Sequence, residues 1–458
     1  MNQNDILASL ELSTNIVEVG STSLPKRNPS QGESVGNYIV NAIKSGKQVL
    51  FFLGGEAGTG KTTCIREITE IIKKSLPNMN VTLLAPTHSV VAQLPAGAAT
   101  CHSTARLSHP ENPFPIIPKK DPNYEKRMGV TIVDEISLLS GASFAEWDEI
   151  NRKRTGKYQI FGGMHMIIIG DLLQLQMGDD GQQISEAHLL DKFEFYELQE
   201  IHRQDRDPIF RGFLKRAQTV DLNSSMLKFI NDRLTPRGVG YLTGTVDKFL
   251  EIHDDHTHVL TSTHKRRKAF NDAIIAEKFQ KTEVLHEQIQ CIRGANTTLS
   301  YEPVPKSDTF RTAEGMRVVT TATMMDKDGE NVSNGTMDTV KSFTTLRDHV
   351  HFVNIQFNGS QKTQRFGRKN PDGTNVFTFN FQPAYALTYH RAEGRTMSGV
   401  ILDLHGRMSA GAFYTGVSRV RDASRVFFNC RIGSLFKLKT IILHPLRFVQ
   451  ICTQHNFF

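Results

Sequence analysis

Residues 55–62 (Gly-Glu-Ala-Gly-Thr-Gly-Lys-Thr) have the types and spacing of a loop that binds phosphate, GxxxxGK[ST]. The apolar run at 49–53 precedes this loop and predicts a buried strand, and helical periodicity follows it. Glycines permit a tight turn that directs backbone N–H groups at phosphate oxygens, and the start of a helix adds partial positive charge. A glycine-rich turn of another kind would not require this strand–loop–helix context. We therefore predict that the segment binds a nucleoside triphosphate.

Individual residues of this loop have predicted chemical roles. We expect the Lys61 ammonium to contact the β- and γ-phosphates and the Thr62 hydroxyl to bind a magnesium ion. The residues predicted to surround the nucleotide are Gly55, Glu56, Ala57, Gly58, Thr59, Gly60, Lys61, Thr62 and Thr63.

Polar residues follow two later apolar runs and predict hydrolysis of the bound nucleotide. Asp134 and Glu135 follow the run at 130–133. We expect Asp134 to hold the magnesium ion through water and Glu135 to polarise the water that attacks the γ-phosphate. Gln174 follows the run at 166–169 and is predicted to contact the γ-phosphate or that water. The alternative for Gln174 is an ordinary turn at the end of a strand.

Short apolar runs alternate with helical patterns, which indicates parallel sheets covered by helices on both faces. One series comprises 49–53, 81–85, 130–133 and 166–169, and a second comprises 258–261, 317–320, 400–403 and 425–428, with helical patterns at 265–279 and 411–419. The predicted fold class is α/β, with one domain at 36–195 and another at 196–458. Residues 1–35 lack sustained periodicity and are predicted to form a flexible arm.

Two insertions interrupt the predicted domains. The segment 108–127 contains five prolines and several basic residues, and it predicts a small projection from the first domain. The segment 342–382 alternates β-forming residues with Gly and Asn turns, and it predicts a small antiparallel module in the second domain.

The charge of the chain favours a polyanionic partner, and its apolar runs argue against a membrane span. The formal net charge is +7 at pH 7. No apolar run is long enough to cross a bilayer, and no secretory signal is readable at the N-terminus. The five cysteines are scattered without a CxxC pair, which argues against a disulfide framework and a zinc site. We expect an intracellular protein without a membrane partner.

Eight segments, in this order, resemble the motifs of superfamily 1 helicases, in particular the RecD/PIF-like 5′-to-3′ branch. They are 85–87, 100–102, 134–137, 170–175, 198–204, 333–336, 386–396 and 414–421. The resemblance covers about residues 36–440. It implies two RecA-like domains, a strand-separating pin at 108–127 and a β-barrel-like insertion at about 342–382. It also implies ATP and magnesium as cofactors.

The resemblance also assigns roles to individual residues. Arg203 and Arg419 would enter from the second domain as arginine fingers, and Gly394 would lie at the nucleotide. Positions that would contact single-stranded DNA are Thr87, His88, His102, His264, Thr388 and His390. In the pin, Phe114 would stack on a base and Lys119 and Lys120 would contact phosphates, although a plain surface loop is an alternative for this segment.

These observations predict a monomeric, ATP-driven helicase that moves 5′-to-3′ on single-stranded DNA and unwinds forked duplexes in replication, repair or recombination. Its polarity is implied by the resemblance alone. It would need access to nuclear, viral or nucleoid DNA and would meet replication or recombination proteins that the sequence does not identify. The alternatives are a superfamily 1 RNA helicase or nucleoprotein remodeller, and a P-loop switch that is not a motor.

Three positions depart from the family pattern. Glu393 stands where the family usually has Gln, which places a carboxyl group near the nucleotide or the strand. Gln176 stands where a proline commonly follows the motif at 170–175. Gln31 is at about the right distance from Lys61 to read adenine, but its surroundings differ from those in the family.

Overall fold

The structure is a computed structural model. It describes residues 31–107, 119–175, 183–198, 200–219, 257–279, 313–325, 334–346, 349–357, 376–404 and 411–429, together with 228, 232, 408 and the short stretches 284–286, 288–293, 299–303, 309–311, 331–332 and 363–367. The predictions for the arm at 1–30, for Phe114 and the pin segment 108–118, and for Gln176 lie outside the described residues.

Six parallel strands form the sheet of the first domain, in the order β3-β2-β4-β5-β1-β6. Their bounds are β1 Leu50–Gly55, β2 Val81–Ala85, β3 Ala99–Thr100, β4 Val130–Val133, β5 His165–Gly170 and β6 Glu194–Leu198. The inner strands are apolar on both faces because both faces are covered, and every residue of β4 is buried.

The helices of the first domain cover this sheet. They are α1 Gln31–Lys44, α2 Lys61–Ser75, α3 His88–Val91, α4 Cys101–Ala105, α5 Tyr124–Met128 and α6 Gly141–Thr155, with 3-10 turns at Ile136–Leu138, Ile160–Gly163, Ile184–Glu186 and His188–Lys192. In α2, Ile65, Ile68 and Ile72 recur at helical spacing and pack with Phe51 and Leu53 of β1 in one buried core. This packing fixes the start of α2 directly behind the phosphate-binding loop.

The second half of the chain contains a smaller α/β domain with a β-rich module inserted in it. The elements before the module are α7 Pro208–Thr219, β7 Thr257–Thr261 and α8 His264–Lys278. The module contains β8 Val284–His286, β9 Gln288–Arg293, β10 Leu299–Pro303, β11 Thr309–Arg311, β12 Arg317–Thr320, β13 Met324–Met325, β14 Asn331–Val332, β15 Met337–Leu346, β16 His349–Phe357, β17 Thr363–Gly367, β18 Val376–Thr378 and β19 Phe381–Pro383. After it come β20 Ala386–Thr388, α9 Tyr389–Ala392, β21 Gly399–Leu402, α10 Ala412–Val417, a 3-10 turn at Ala423–Arg425, and β22 Val426–Phe428.

The sheets of this half are of two kinds. Strands β20, β7, β21 and β22 form a parallel sheet in that order. The module is antiparallel, with its largest sheet in the order β17-β16-β15-β12-β19 and smaller sheets β10-β9-β18, β11-β8 and β13-β14. The prediction of two RecA-like α/β domains with a β-rich insertion is therefore confirmed. The predicted bounds of the insertion, 342–382, are wrong, because its strands begin with β8 at Val284.

Four details of the predicted organisation are corrected by the structure. Arg317–Thr320 lies in the antiparallel module and not in the parallel sheet of the second domain. The strand that pairs with β7 in that parallel sheet is β20, which the sequence did not predict. Strand β6 extends the first sheet to Leu198, so the division expected at residue 195 falls after that strand. The arm predicted to end at residue 35 ends earlier, because α1 begins at Gln31. The insertion is shorter than 108–127, because its last residues belong to α5, whose Tyr124 is buried.

Parallel strands bring the predicted site residues to one edge of each sheet. Strands β4, β5 and β1 are neighbours, so the segments that follow them meet at their carboxyl ends. Strands β2 and β3 are also parallel neighbours, as are β20 and β7, so the segments that follow each pair lie at the same edge of their sheet. No helix among the described residues has the length and apolar character needed to cross a membrane.

Candidate nucleotide and nucleic-acid sites

The loop at 55–62 has the geometry of a phosphate cradle. Gly58 and Gly60 adopt φ values of 90° and 82°, in the left-handed region that glycine reaches without steric cost. The buried Lys61 ammonium donates hydrogen bonds to the carbonyl oxygens of Gly55 at 2.8 Å and Glu56 at 3.1 Å. These contacts hold the ammonium inside the loop, where phosphate oxygens of a nucleotide can take the place of the carbonyls.

Asp134 and Glu135 are both buried at the carboxyl end of β4, beside the loop. The Glu135 amide donates a 2.9 Å hydrogen bond to Asp134 Oδ1. Glu135 has φ 48°, a left-handed conformation that is uncommon for residues other than glycine. Burial and the neighbouring Glu135 raise the pKa of Asp134 to about 7, and Lys61 opposes this rise. A strained backbone of this kind persists only where the surrounding structure enforces it, and it often occurs at functional sites.

The donor set fits magnesium bound together with a nucleotide. Asp134 and the Thr62 hydroxyl supply hard oxygen donors, and magnesium is typically held by one or two carboxylates, water and substrate phosphates. Among the described residues, no group of three or more His, Cys, Asp or Glu side chains is arranged to hold a metal ion. A buried Asp134 carboxylate beside Glu135 gains from a nearby cation, so these residues are suited to a metal that arrives with the triphosphate.

Gln174 and Arg419 meet across the cleft between the two domains. The fully buried Arg419 guanidinium donates from Nη2 to Gln174 Oε1 at 3.0 Å and to Ser418 Oγ at 2.9 Å, and from Nε to the Thr415 carbonyl at 2.7 Å. Gln174 Nε2 donates to Asp171 Oδ2 at 3.0 Å. Each end of the Gln174 amide therefore makes one hydrogen bond in the domain interface and keeps one N–H and one lone pair, so the predicted contact of Gln174 with the γ-phosphate or the attacking water stays a prediction.

Tyr414, on α10 of the second domain, contacts the phosphate loop directly. Its buried hydroxyl accepts hydrogen bonds from the Ala57 amide at 3.1 Å and Gln218 Nε2 at 2.7 Å, and it donates to Asp171 Oδ2 at 3.2 Å. Burial and the negative charges of Asp171 and Glu56 raise the pKa of this hydroxyl well above its ordinary value. The sequence prediction gave Tyr414 no role, although it lies at the start of the motif at 414–421. Only its hydrogen bond with Ala57 across the cleft indicates that Tyr414 belongs to this site.

Arg203 reaches the site from the segment between β6, the last strand of the first sheet, and α7. The amides of His202 and Arg203 donate to the Gly58 carbonyl at 2.8 Å and 3.3 Å, which seats this segment on the phosphate loop. Arg203 Nη1 donates to the Ser418 carbonyl at 2.9 Å. Burial and the positive charge of Arg419 lower the pKa of Arg203 to about 9. Two guanidinium groups held this close are stabilised by an anion between them, such as a triphosphate.

Glu393 and Gly394 follow α9 and also face the first domain. Gly394 adopts φ 71°, and a Cβ there would approach Gln93 Nε2 of the first domain to 2.9 Å. Glu393 is only 1% exposed, and within the described part of the chain neither carboxyl oxygen has a hydrogen-bond partner. Glu135 and Arg419 lie within electrostatic range of it. Gly394 therefore permits a close approach of the two domains that places Glu393 in the nucleotide cleft.

The predicted nucleic-acid residues lie at the carboxyl ends of neighbouring strands, away from the phosphate loop. Thr87 caps α3 after β2, and His102 lies on α4 after β3. In the second domain, His264 begins α8 after β7, and Thr388 ends β20. His88, His264 and His390 are exposed, whereas Thr388 is buried. The structure thus brings these residues to matching edges of the two sheets, and their DNA contacts stay predictions.

A turn of the β-rich module contacts the first domain beside this edge. Gly335, in the turn at 333–336, approaches Ser89 of α3 so closely that a Cβ would lie 2.8 Å from the Ser89 Cα. Its carbonyl accepts a hydrogen bond from Arg395 Nη2. The module, the first domain and the segment after α9 therefore meet beside Thr87.

The described part of the predicted pin contains Lys119 and Lys120, both exposed. The Asp121 amide donates to the Arg154 carbonyl at 2.8 Å, which anchors the end of the insertion on α6. Lys120 lies beside Gly156 at the end of α6, where a Cβ on Gly156 would come within 2.8 Å of the Lys120 Cε. The contact of both lysines with phosphates stays a prediction.

Comparisons with known proteins agree with this geometry. A family model described as an AAA domain matches residues 33–233. The ATP-dependent DNA helicase Pif1 of Bdellovibrio bacteriovorus is 25% identical, over 84% of this chain and 84% of its own length. The ATP-dependent DNA helicase PIF7 of Trypanosoma brucei brucei is 23% identical, over 86% of this chain and 45% of its own length. The chain spans 45% to 64% of the first three curated relatives.

The fold has the same relatives. The crystal structure of Pif1 helicase from Bacteroides in complex with ADP-AlF3 and ssDNA superposes with a TM-score of 0.65 at 19% identity, covering 92% of this chain and 97% of that chain. The resemblance to the PIF-like branch that the motifs predict is therefore confirmed in sequence and in fold.

Proposed function

We propose that this chain, which is Pif1-like in sequence and in fold, is an ATP-dependent helicase that moves along single-stranded DNA and unwinds forked duplexes. The observation that carries the proposal is the composition of the nucleotide cleft. The loop at 55–62 and Glu135 come from the first domain, and Arg419 comes from the second. A site completed only when two domains meet can convert nucleotide binding into domain movement.

The residues of the cleft have different roles in hydrolysis. Lys61 and the loop amides hold the phosphates, and Glu135 takes the proton from the attacking water. Arg419 and Arg203 offset the negative charge that develops on the transferred phosphoryl group. Asp134 and Thr62 would hold magnesium, which neutralises phosphate charge when bound. Loss of the γ-phosphate removes the anion that draws the Arg419 guanidinium of the second domain toward the first, so the domains separate.

The DNA track follows from the matching sheet edges. Thr87 and His102 in the first domain and Thr388 and His390 in the second would contact the phosphate backbone of one strand. Each cycle of closure brings these two sets together, and each opening separates them. We propose a step along the strand for each cycle. The 5′-to-3′ direction and a role in replication, repair or recombination rest on the resemblance of the motifs alone.

The test is unwinding of forked duplexes that carry either a 5′ or a 3′ single-stranded tail, with ATP and magnesium. We expect the 5′-tailed substrate to be unwound and ATP hydrolysis to be stimulated by single-stranded DNA. Lys61→Ala serves as the inactive control, because it removes the cation that contacts the phosphates. Stimulation by RNA alone would support the RNA helicase instead, and hydrolysis without stimulation by any nucleic acid would refute a motor.

A further inference from the structure

The Glu393 carboxyl group is buried in the nucleotide cleft, and within the described residues it has no hydrogen-bond partner. An ionised carboxylate without partners in such a place is costly, and even a neutral one forfeits its hydrogen bonds. Glu135 of the first domain and Arg419 of the second both lie within electrostatic range of this carboxyl group. A polar group that enters this region during catalysis would satisfy Glu393.

The residue expected to contact that group is already partly engaged, because Gln174 donates to Asp171 and accepts from Arg419. Within the described residues Glu393 has neither oxygen engaged, and the predicted base, Glu135, lies within electrostatic range of it. Burial and the nearby Glu135 charge raise the pKa of Glu393 well above its ordinary value, and Arg419 opposes this rise. This environment therefore favours the neutral carboxyl group, which carries a proton that it can donate.

We infer that Glu393 is a second carboxyl group of the hydrolytic centre, which donates a hydrogen bond to the water that Glu135 polarises. This inference rests on the proposed function as an ATPase. The water accepts from Glu393 through one lone pair, attacks phosphorus through the other, and donates a proton to Glu135. The new O–P bond forms as the bond to the β–γ bridging oxygen breaks, and ADP leaves with that electron pair. Glu393 keeps its proton throughout, and Glu135 returns its proton to the released phosphate.

This arrangement explains the departure from the family at position 393. A protonated carboxyl group and a glutamine amide both donate a hydrogen bond and have nearly the same shape. The carboxyl group loses this ability when it ionises, whereas the amide does not. A glutamate at position 393 therefore adds a dependence on pH that a glutamine would lack.

The experiment compares wild type with Glu393→Gln and Glu393→Leu in ATP hydrolysis without DNA and with single-stranded DNA. We expect Glu393→Leu to lower kcat by about 30-fold with KM for ATP changed less than about threefold, within the range of one lost hydrogen-bond donor. Glu393→Gln should retain kcat within about threefold at pH 7. The matched control, Glu314→Leu, removes an exposed carboxyl group of the second half of the chain and should leave hydrolysis unchanged.

The pH profile supplies the second measurement. Because the raised pKa keeps Glu393 neutral until the pH exceeds it, wild-type kcat should fall on the alkaline side, and Glu393→Gln should lack this fall. The charge of Glu135 favours the neutral form of the Glu393 carboxyl group, and the charge of Arg419 favours its ionised form. Glu135 and Arg419 are unchanged in Glu393→Gln, so a difference between the two pH profiles reports on residue 393. If Glu393→Leu does not fold in a thermal unfolding assay, the comparison of wild type with Glu393→Gln decides alone.

Two results would overturn the inference: full activity of Glu393→Leu, or a loss in Glu393→Gln equal to that in Glu393→Leu. An identical alkaline fall in wild type and Glu393→Gln would also overturn it. Because the comparison uses hydrolysis without DNA, an ATPase that DNA does not stimulate refutes the helicase proposal and leaves this test intact. A wild-type protein that does not hydrolyse ATP refutes both.

Discussion

Replacing Tyr414 with phenylalanine removes one hydroxyl group from the contact between the second domain and the phosphate loop. The Ala57 amide loses its hydrogen-bond acceptor in the closed cleft. Gln218 and Asp171 lose one contact each, but Asp171 still accepts from the Leu173 amide at 3.0 Å. A buried amide without a partner costs about 1–3 kcal/mol.

We take about 2 kcal/mol for the loss in the closed state, which corresponds to about a 30-fold fall in kcat/KM if hydrolysis requires closure. The assay is steady-state ATP hydrolysis with saturating single-stranded DNA. Tyr385→Phe is the matched control, because its buried hydroxyl accepts from the Arg317 amide at 3.1 Å away from the cleft. That variant should lose stability and keep its kcat/KM. A kcat/KM for Tyr414→Phe within twofold of wild type would refute the reasoning.

Four further predictions concern the cleft and the pin. Glu135→Gln should still bind ATP in a fluorescence titration but hydrolyse it about 10²- to 10⁴-fold more slowly, and a parallel loss of binding would make Glu135 structural. Arg419→Ala should lower kcat about a thousandfold. Arg419→Lys should restore little of this activity, because an ammonium group lacks the planar guanidinium fork. Near-complete restoration of kcat by lysine would contradict the role of an arginine finger. Burial and the Asp171 charge raise the pKa of Glu56 to about 7, so its contribution to stability is fully present below the ordinary pKa of 4.5 and is lost as the pH rises through 7. Glu56→Gln should therefore raise Tm at pH 8 and not at pH 4. Equal shifts in Tm at both pH values would be contrary evidence. A Gly/Ser linker in place of 112–121 should preserve DNA-stimulated hydrolysis and lower unwinding sharply, and an unchanged ratio of the two rates argues for a plain surface loop.

The local parts of this molecule could be predicted from sequence because their chemistry depends on near neighbours. The phosphate loop needs its glycines, Lys61 and Thr62 within eight positions, between a strand and a helix. Strands β1, β2, β4 and β5 are mostly buried and have the apolar runs that predict them. Strand β6 was missed because Glu-Phe-Tyr-Glu-Leu mixes polar and aromatic residues, as expected at the edge of a sheet.

The rest depends on contacts between distant segments. Tyr414 and Ala57 are separated by 357 positions, and no spacing rule connects them. The strand Arg317–Thr320 is apolar enough for either sheet, and only its partners β15 and β19 decide that it is antiparallel. Arg203 was assigned to the second domain by resemblance, whereas hydrogen bonds to Gly58 seat it on the first. The roles of these residues await the experiments above.

The segment that joins the two domains is also a wall of the nucleotide site. The amides of His202 and Arg203 bond to the Gly58 carbonyl, and a Cβ at Gly58 would lie 2.5 Å from the Arg203 Cβ. A bend in this hinge therefore displaces the phosphate loop itself, with no intermediate part to transmit the motion. In the proposed motor, a change that stiffens this hinge is therefore expected to alter both the exchange of spent nucleotide and the movement of the domains.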